Sequence, residues 1–388
     1  MNWPFALAAF ASLFVIGLLD NARGPLFPEV LLGLSLSDAE GAWLFAAASA
    51  AGGVGSYAAR FLLARARASR ALWLGLLLAT AGLIALGRSR SLADLVLGSA
   101  LFGLSFGGLS LVQGALVQRG APPASQRQVF AGLHAMYGAA SLLAPLLVTA
   151  AARAGIDWRG AFGLLACAPL AVLALTIPLR DVRPAGPAPA GADPADPDPA
   201  GPDPVGADPA PGRRVLAVAL MTALYVAAEL AISTRLPLHL RRLGWSPEAA
   251  SLALSAFFAA LLAGRVLLGL VRVTLTHRQL LAASALLSLA LTTAGLLLHP
   301  AFLCAAGLTL APFFPVASAL VADEFPGQFD RVMSTLMATV CVVVMLAHQL
   351  IGAVSDRVSL HAALGLSPLC LLAALGLMVA SSRRHEHR

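Results

Sequence analysis

Long apolar segments dominate this chain and restrict it to a bundle of membrane-spanning helices. Apolar runs of about 20 residues, enough for a helix to cross a hydrocarbon core of about 30 Å, recur along the whole sequence. Hydrophobic residues make up 59% of the chain and charged residues only 12%, whereas roughly a quarter of residues in soluble domains are charged. We therefore predict an all-α membrane protein whose twelve spans lie at 5–31, 39–61, 70–87, 93–118, 127–151, 159–179, 214–240, 247–271, 279–298, 301–322, 331–355 and 360–382.

The two halves of the chain repeat each other. The segment GLSFGGLSLVQGALV at 103–117 aligns without gaps with GLTLAPFFPVASALV at 307–321. Each half also begins with an acid inside an apolar run, followed eight residues later by a proline: Asp20 with Pro28 and Glu229 with Pro237. We expect these prolines to break the helices near the acids. Two parallel apolar halves are the organisation of many secondary transporters.

A segment rich in Pro, Ala and Asp separates the halves. Residues 180–213 contain ten prolines, and such a composition cannot form a packed core. The sequence thus predicts a six-helix half at 1–179, a cytoplasmic tether at 180–213 and a second six-helix half with a short basic tail at 214–388.

The distribution of arginines predicts the orientation in the membrane. All 26 basic side chains are arginine, and placing both termini in the cytoplasm puts sixteen of them inside and seven outside, in agreement with the positive-inside rule. We predict a multi-pass protein of the cytoplasmic (inner) membrane that functions as a monomer. The arginines are spread over short loops and not gathered on one face, which argues against a nucleic-acid partner.

Asp20 is the first candidate for a functional site. An ionised side chain at mid-bilayer costs at least about 2.5 kcal/mol, so such a group normally faces a water-filled cavity or a partner. Asn21 adjoins Asp20 and Arg23 follows one turn later. The group is interpreted either as a proton-coupling and substrate site or as a structural ion pair between Asp20 and Arg23.

Further polar residues within the spans are candidates for substrate binding or for packing. Tyr225 and Glu229 lie four residues apart on one helix face, where they suit a hydroxylated ligand, and Glu229 is a second candidate for proton coupling. Other candidates that either bind substrate or pack against a neighbouring helix are Gln113, His134, Tyr137, His348 and Gln349.

Three intramembrane or loop arginines are interpreted differently. Arg60 and its repeat counterpart Arg265 are predicted to clamp helix ends during gating, and Arg265 has substrate binding as its alternative. Arg235 lies near the outer end of its span and is expected to extend to the membrane interface.

The sequence shows none of the common enzyme or cofactor motifs. It has no phosphate-binding glycine loop ending in lysine, no HExxH and no GxSxG. The four cysteines lie in apolar spans without paired spacing, so neither a disulfide nor a metal site is indicated. We predict a protein that is not an enzyme and uses no cofactor or metal.

Twelve spans in two six-helix repeats joined by a cytoplasmic linker resemble the major facilitator superfamily. Within it, TALYVAAELAISTRLPLHL at 222–240, AGRVLLG at 263–269, IGAVSDR at 351–357 and the acid–asparagine pair in the first helix resemble the fucose:proton symporter branch. That resemblance implies that Asp20 takes part in proton coupling and sugar binding.

The chain also departs from both patterns. Ala59 stands where the superfamily's inner loop has an aspartate, and Ser110 and Gly132 stand where the fucose:proton branch has a glutamate and a glutamine. These departures leave the coupling to Asp20, with Glu229 replacing the lost carboxylate, or else predict a uniporter.

Together these features predict a secondary active transporter that moves a small solute by alternating access, with a proton-coupled sugar or sugar-like solute as the favoured substrate. Two alternatives stay open. One is an exporter of amphipathic compounds, with a cavity lined by Phe106, Phe257, Phe258, Phe313 and Phe314. The other is a membrane receptor or scaffold that does not transport.

Overall fold

A computed structural model describes residues 3–179, 212–271, 274–325 and 328–382, and every regular element within these ranges is helical. The helices in chain order are α1 (Trp3–Leu34), α2 (Asp38–Gly41), α3 (Trp43–Arg65), α4 (Ala68–Arg88), α5 (Leu92–Gly120), α6 (Pro123–Arg153), α7 (Trp158–Leu165), α8 (Cys167–Thr176), α9 (Gly212–Arg242), α10 (Pro247–Leu270), α11 (His277–Leu297), α12 (Ala301–Leu310), α13 (Phe313–Glu324), α14 (Phe329–Arg357), α15 (Leu360–Leu364) and α16 (Leu366–Ser382). The predicted tether lies outside the described residues, except that Gly212 and Arg213 begin α9.

The helices form twelve transmembrane segments, three of which are pairs of consecutive helices: α7–α8, α12–α13 and α15–α16. Each predicted span coincides with one segment to within four residues at either end. Eleven segments are long and apolar enough to cross a membrane. The twelfth, α3, has 23 residues and is rich in Ala, Gly and Ser. The predicted all-α, twelve-helix architecture is confirmed.

Each half builds its own hydrophobic core. One cluster of buried residues is formed mainly by α1 and α3–α8, and a second by α9–α14 with α16. The repeated motif has the same packing role in both halves. A Cβ atom on Gly103 would lie 2.2 Å from the carbonyl oxygen of Ala48, and one on its counterpart Gly307 would lie 2.3 Å from the carbonyl oxygen of Phe257. Both glycines therefore let two helix backbones approach closely.

The prolines near the two intramembrane acids do not break their helices. α1 continues through Pro25 and Pro28, and α9 continues through Pro237. The expectation of a break was wrong, because a proline removes only one backbone donor and neighbouring helices in a membrane bundle support the remaining turns. The tenth transmembrane segment is instead interrupted at Ala311 and Pro312, between α12 and α13.

The bundle has two ends, which are named here by the chain. The terminal end holds the start of α1 and the end of α16, and the distal end holds the turns at 35–37, 89–91, 154–157, 243–246, 298–300 and 358–359. Every transmembrane segment runs from one end to the other.

Candidate functional site

Asp20 lies near the middle of α1 and has a different partner on each carboxylate oxygen. Its Oδ1 forms an ion pair with Arg23, one turn later on the same helix. Its Oδ2 accepts a hydrogen bond of 2.7 Å from the hydroxyl of Tyr137 on α6. The Asp20 side chain is 19% exposed and that of Arg23 is 9% exposed. The structure therefore contains the ion pair of one predicted interpretation, and the acid also bonds to a second helix.

Contacts with two further helices fix the guanidinium of Arg23. Its Nη1 donates a hydrogen bond of 3.1 Å to the carbonyl oxygen of Leu44 at the start of α3. Its Cζ lies 4.7 Å from the ring centre of Phe102 on α5 and 5.3 Å from that of Phe45 on α3. Cation–π contacts of this kind favour a cation in a desolvated position. Arg23 thus connects the acid on α1 to α3 and α5.

Asn21 and Gly17 shape the contact between α1 and α6. Asn21 Nδ2 donates to the carbonyl oxygen of Gly17 at 2.8 Å and to the hydroxyl of Ser141 at 3.0 Å. A Cβ atom on Gly17 would lie 2.9 Å from Cδ2 of Tyr137, so only glycine lets the tyrosine ring reach Asp20. The structure brings Asp20, Asn21, Arg23 and Tyr137 together, and we call these four residues the Asp20 centre.

Gln113 and His134 do not extend the described Asp20 centre. Gln113 is 1% exposed, and its Nε2 donates to the hydroxyl of Ser12 at 3.3 Å. Ser12 lies two turns before Asp20, about 12 Å along the helix axis. Gln113 thus forms a hydrogen bond with a neighbouring helix, which is one of its two predicted interpretations. The backbone of His134 lies in α6 one turn before Tyr137, and its side chain is outside the described part of the chain.

In the second half, Glu229 lies close to Arg265. The Arg265 guanidinium is near enough to interact electrostatically with both Glu229 and Tyr225. Its buried Nε has no hydrogen-bond partner. Arg60, the predicted counterpart in the first half, is an exposed residue near the terminal end of α3. The two arginines thus occupy different environments, although the sequence pairs them.

Tyr225 faces the core of its own half. The ring stacks on Phe313 with 3.5 Å between ring centres, and the hydroxyl donates to the carbonyl oxygen of Thr309 at 3.2 Å. Only 1% of the residue is exposed. The predicted substrate-binding lane of Tyr225 and Glu229 is therefore not an open surface in this conformation, because Tyr225 is held by α11–α13.

The aromatic residues predicted to line an amphipathic cavity are also mostly packed inside this half. Phe257 and Phe313 are 0% exposed and Phe258 is 6% exposed. Phe106 and Phe314 are half-buried against the two hydrophobic cores. These five residues consequently do not form one open apolar cavity.

An arginine, a histidine and two aromatic rings join the halves on the distal side of the Asp20 centre. The ring of His348 on α14 stacks on Phe45 with 5.2 Å between ring centres. The guanidinium of Arg235 on α9 lies 4.3 Å from the ring centre of Phe27 and 4.6 Å from that of Phe45. Arg235 is 1% exposed. The expectation that it extends to the membrane interface was wrong, because rings from α1 and α3 cover it.

Ion pairs close the distal end across the two halves. Both terminal nitrogens of Arg242 donate to the carboxylate of Asp38 at 2.7 Å, and Ser355 donates to the same carboxylate. Asp356 accepts hydrogen bonds from the backbone nitrogens of Asp38 at 2.8 Å and Ala39 at 3.1 Å. Two more ion pairs cross between the halves here: Arg241 with Glu29 and Arg153 with Glu248.

Asp38 is set up to remain ionised in this contact. Burial raises the pKa of its carboxyl, but hydrogen bonds from Arg242 and Ser355 and the charges of Arg242 and Arg235 together lower it more. The pKa therefore lies below its ordinary value of 3.8. At neutral pH the carboxylate is charged and binds both partners.

At the terminal end the observed ion pairs stay within one half. Arg278 binds Glu324 at 2.6 Å, Arg214 lies 3.7 Å from the same carboxylate, and His277 lies 2.8 Å from Asp323. Among the described residues, every ion pair that joins the halves lies at the distal end. The geometry is that of a bundle held shut at its distal end.

Sequence reasoning missed the residues of the distal contact. Asp38 and Ser355 lie 317 positions apart, and Asp38 and Arg242 lie 204 apart, so no local pattern pairs them. One signal was readable: Ser37 and Glu40 form a capping box that starts α2 and fixes Asp38 in a helix. From the sequence alone, Arg241 and Arg242 follow the predicted span at 214–240 and are expected to lie in a loop.

The fold belongs to a known family of transporters. The Major Facilitator Superfamily model matches residues 9–246 and 218–388, so the chain is a member of the Major Facilitator Superfamily. Its transporters share the two-half helical bundle described above, and the predicted superfamily is confirmed. No curated protein matches the chain significantly in sequence.

Several solved transporters have the same fold at low sequence identity. A bacterial homolog of the human lysosomal transporter Spinster, in an inward-facing and unoccupied conformation, has a TM-score of 0.78 and 14% identity over 98% of this chain and 96% of its own. A D-xylose-proton symporter has a TM-score of 0.72 and 14% identity over 97% of each chain. The nucleoside transporter NupG (D323A mutant) has a TM-score of 0.75 and 10% identity over 97% of this chain and 99% of its own. At these identities the likeness concerns the fold.

Proposed function

We propose that the protein is a proton-coupled secondary active transporter that moves a small solute by alternating access between its two halves. The observation that carries this proposal is the Asp20 centre, an intramembrane acid held by an arginine and a tyrosine. α1 packs against α9 of the other half one turn away, where a Cβ atom on Gly24 would lie 3.2 Å from the carbonyl oxygen of Ser233. Asp20 therefore lies one helical turn from the interface between the two halves, and a change in its protonation would act close to that interface.

Protonation of Asp20 would change its partners. The carboxylate accepts charge-assisted hydrogen bonds from Arg23 and Tyr137, and such bonds contribute about 1.5–3 kcal/mol each. A protonated acid loses the charge that binds Arg23 and gains a hydrogen to donate. Proton binding would therefore release the guanidinium from its acid, and this release would couple the proton to the arrangement of α1, α3 and α6.

The cross-half contacts at the distal end support the assignment of a conformation. The positive-inside bias of the sequence places the distal end outside the cell and both termini in the cytoplasm. With that orientation, the Asp38–Arg242–Ser355 contact is an outer gate in its closed state, and the described state is inward-facing. We propose the cytoplasmic membrane as its location and a monomer as the working unit.

We propose a sugar or a sugar-like solute as the substrate. Asn21, Tyr137 and Ser141 provide amide and hydroxyl groups around Asp20 that suit ligand hydroxyls. The resemblance of 222–240 and 351–357 to the fucose:proton symporter branch supports the same substrate class. In the second half, Glu229, Arg265, His348 and Gln349 are proposed to complete the site after the halves rearrange.

Uptake into proteoliposomes tests this function. Labelled hexoses and pentoses would be added outside purified protein reconstituted in liposomes, with an inward proton gradient, with no gradient and with a protonophore. The proposal predicts accumulation of at least one sugar only with the gradient. Uptake that the protonophore does not reduce would contradict coupling, and failure of every sugar would contradict the substrate class.

A further inference from the structure

Arg235 is a buried cation whose two terminal nitrogens donate no hydrogen bond. It is 1% exposed, and neither Nη1 nor Nη2 has a hydrogen-bond partner. The contacts of its guanidinium are with the ring faces of Phe27 and Phe45. Aromatic rings stabilise the positive charge, but they cannot accept the hydrogen bonds that the four N–H groups of Nη1 and Nη2 would donate. A buried cation in this state lacks the anion that would normally accompany it.

A second unpartnered group lies on the same aromatic residue. His348 is 3% exposed and stacks on Phe45, and its Nδ1 has no hydrogen-bond partner. His348 is near enough to interact electrostatically with both Arg235 and Arg23. Two nitrogen-bearing side chains of the second half, from α9 and α14, therefore meet one ring of the first half with unused hydrogen-bonding capacity.

The charges of the transmembrane interior do not balance around Arg235. Arg23 has its own acid in Asp20, and Arg265 has Glu229 nearby. The carboxylate that acts electrostatically on Arg235 is Asp38, and Asp38 is already bonded to Arg242 and Ser355. Arg235 is thus left without an acid of its own among the described residues.

Arg235 lies between a pocket at the closed distal end and the Asp20 centre. A distal pocket of about 680 Å³ is lined by residues of both halves, among them Pro28, Leu238, Arg241 and Asp356. Arg235 lies one helical turn below Leu238 on α9, and Phe27 adjoins Pro28 on α1. A solute that entered from the distal end would meet Arg235 before it reached Asp20.

We propose that the transported solute carries an anionic group, a carboxylate or a phosphate, and that Arg235 and His348 bind this group. The inference rests on the proposed transport function and narrows its substrate class to a hydroxylated anion. In the distal-closed state the guanidinium of Arg235 contacts the rings of Phe27 and Phe45. When the halves separate at the distal end, these rings move away from Arg235. A carboxylate or phosphate then accepts two parallel hydrogen bonds from the guanidinium in bidentate geometry.

Ligand-induced stabilisation of the purified protein tests the proposal. The melting temperature would be measured with D-glucuronate, D-glucose 6-phosphate and D-glucose, because the first two carry the proposed anions on the ring of the third. Wild type is expected to be stabilised by at least one of the two anions at a concentration at least tenfold below any effect of glucose. Comparison of D-glucuronate with D-glucose 6-phosphate shows whether the site binds a carboxylate or a phosphate.

Variants locate the effect at the proposed residues. Arg235→Gln is expected to weaken binding of the active anion at least tenfold, and Arg235→Lys is expected to restore part of it because the charge returns. His348→Gln, which leaves the arginine in place, should weaken binding about threefold and serves if Arg235→Gln folds poorly. Arg159→Gln is the matched control, since this arginine lies over Trp158 in the first half and should leave binding unchanged.

Two outcomes would overturn the proposal. One is equal stabilisation of wild type and Arg235→Gln by the anions, and the other is no stabilisation by either anion. If gradient-driven uptake of glucose persisted in either case, the transport function would stand and only the anion site would fail. If wild type bound the anions through Arg235 but accumulated neither with a proton gradient, the anion site would stand and the coupling would fail.

Discussion

Replacement of Asp38 by asparagine should open the distal end of the bundle. The carboxylate binds both terminal nitrogens of Arg242 at 2.7 Å and also accepts a hydrogen bond from Ser355. Its own side chain is 7% exposed, while that of Arg242 is 45% exposed. Asparagine keeps the size and one acceptor oxygen but removes the charge and the bidentate geometry.

The expected size of this effect follows from those contacts. Hydrogen bonds to charged groups contribute about 1.5–3 kcal/mol each, and the exposure of Arg242 reduces the sum because solvent screens it. We take about 2 kcal/mol for the substitution, which changes the equilibrium between closed and open distal ends about 30-fold. A state that is about 99% closed in wild type would then be open in roughly a quarter of the molecules.

Distances between spin labels at the distal end measure this population. Labels would be placed at Arg90 in the first half and Leu298 in the second, which are both exposed, after replacement of the four unpaired cysteines. The Asp38→Asn protein should show a second, longer distance that wild type lacks. Glu40→Gln is the matched control, because Glu40 caps the same short helix and lies outside the cross-half contact. Identical distance distributions in wild type and Asp38→Asn would refute the closed-gate reasoning.

Three further predictions concern pH, the Asp20 centre and helix packing. Because the pKa of Asp38 is lowered, its stabilisation of the closed distal end is fully present above the ordinary value of 3.8 and is lost as the pH falls through the lowered pKa. The label distances should therefore stay constant between about pH 8 and about pH 5. A longer distance that appeared over this range in wild type but was independent of pH in Asp38→Asn would contradict the assignment. Tyr137→Phe removes one charge-assisted hydrogen bond from Asp20, about 1.5–3 kcal/mol, so gradient-driven uptake should fall at least tenfold while the melting temperature stays within a few degrees. An unchanged uptake rate would exclude a role for the hydroxyl. Gly107→Ala should abolish the yield of monodisperse protein, since a Cβ atom there would lie 1.8 Å from the carbonyl oxygen of Gly52. Gly108→Ala is the control and should purify like wild type, because the atom nearest to its Cβ lies at 3.5 Å. Equal yields would show that α3 and α5 can separate without loss of the fold.

The sequence predicted most of the fold because membrane helices are encoded locally. Each apolar run identifies one span, and the match between 103–117 and 307–321 identifies the second half as a copy of the first. The shared packing of Gly103 and Gly307 against a neighbouring backbone explains why this motif is repeated. Prolines misled the interpretation of α1 and α9, since their effect on a helix depends on neighbours that the sequence does not place.

The site was predictable only where its partners lie close together in the chain. Arg23 follows Asp20 by one turn, so the ion pair could be expected, but Tyr137 reaches the same acid from a position 117 residues away. Arg235 illustrates the opposite case. Its place near a span end predicts an interfacial side chain, whereas Phe27 and Phe45, from two other helices, bury it between the halves.

Solute accumulation by Asp20→Asn measures the central claim most directly. Reconstituted wild type, Asp20→Asn and the control Asp323→Asn would be compared in gradient-driven accumulation and in exchange of labelled for unlabelled solute at equal pH. Asp323 is an exposed terminal-end acid, 64% accessible, so its variant should match wild type in both assays. The account predicts that Asp20→Asn retains exchange, because the two halves can still alternate, and loses accumulation against the solute gradient. Accumulation by Asp20→Asn at the wild-type level would show that Asp20 does not couple the proton.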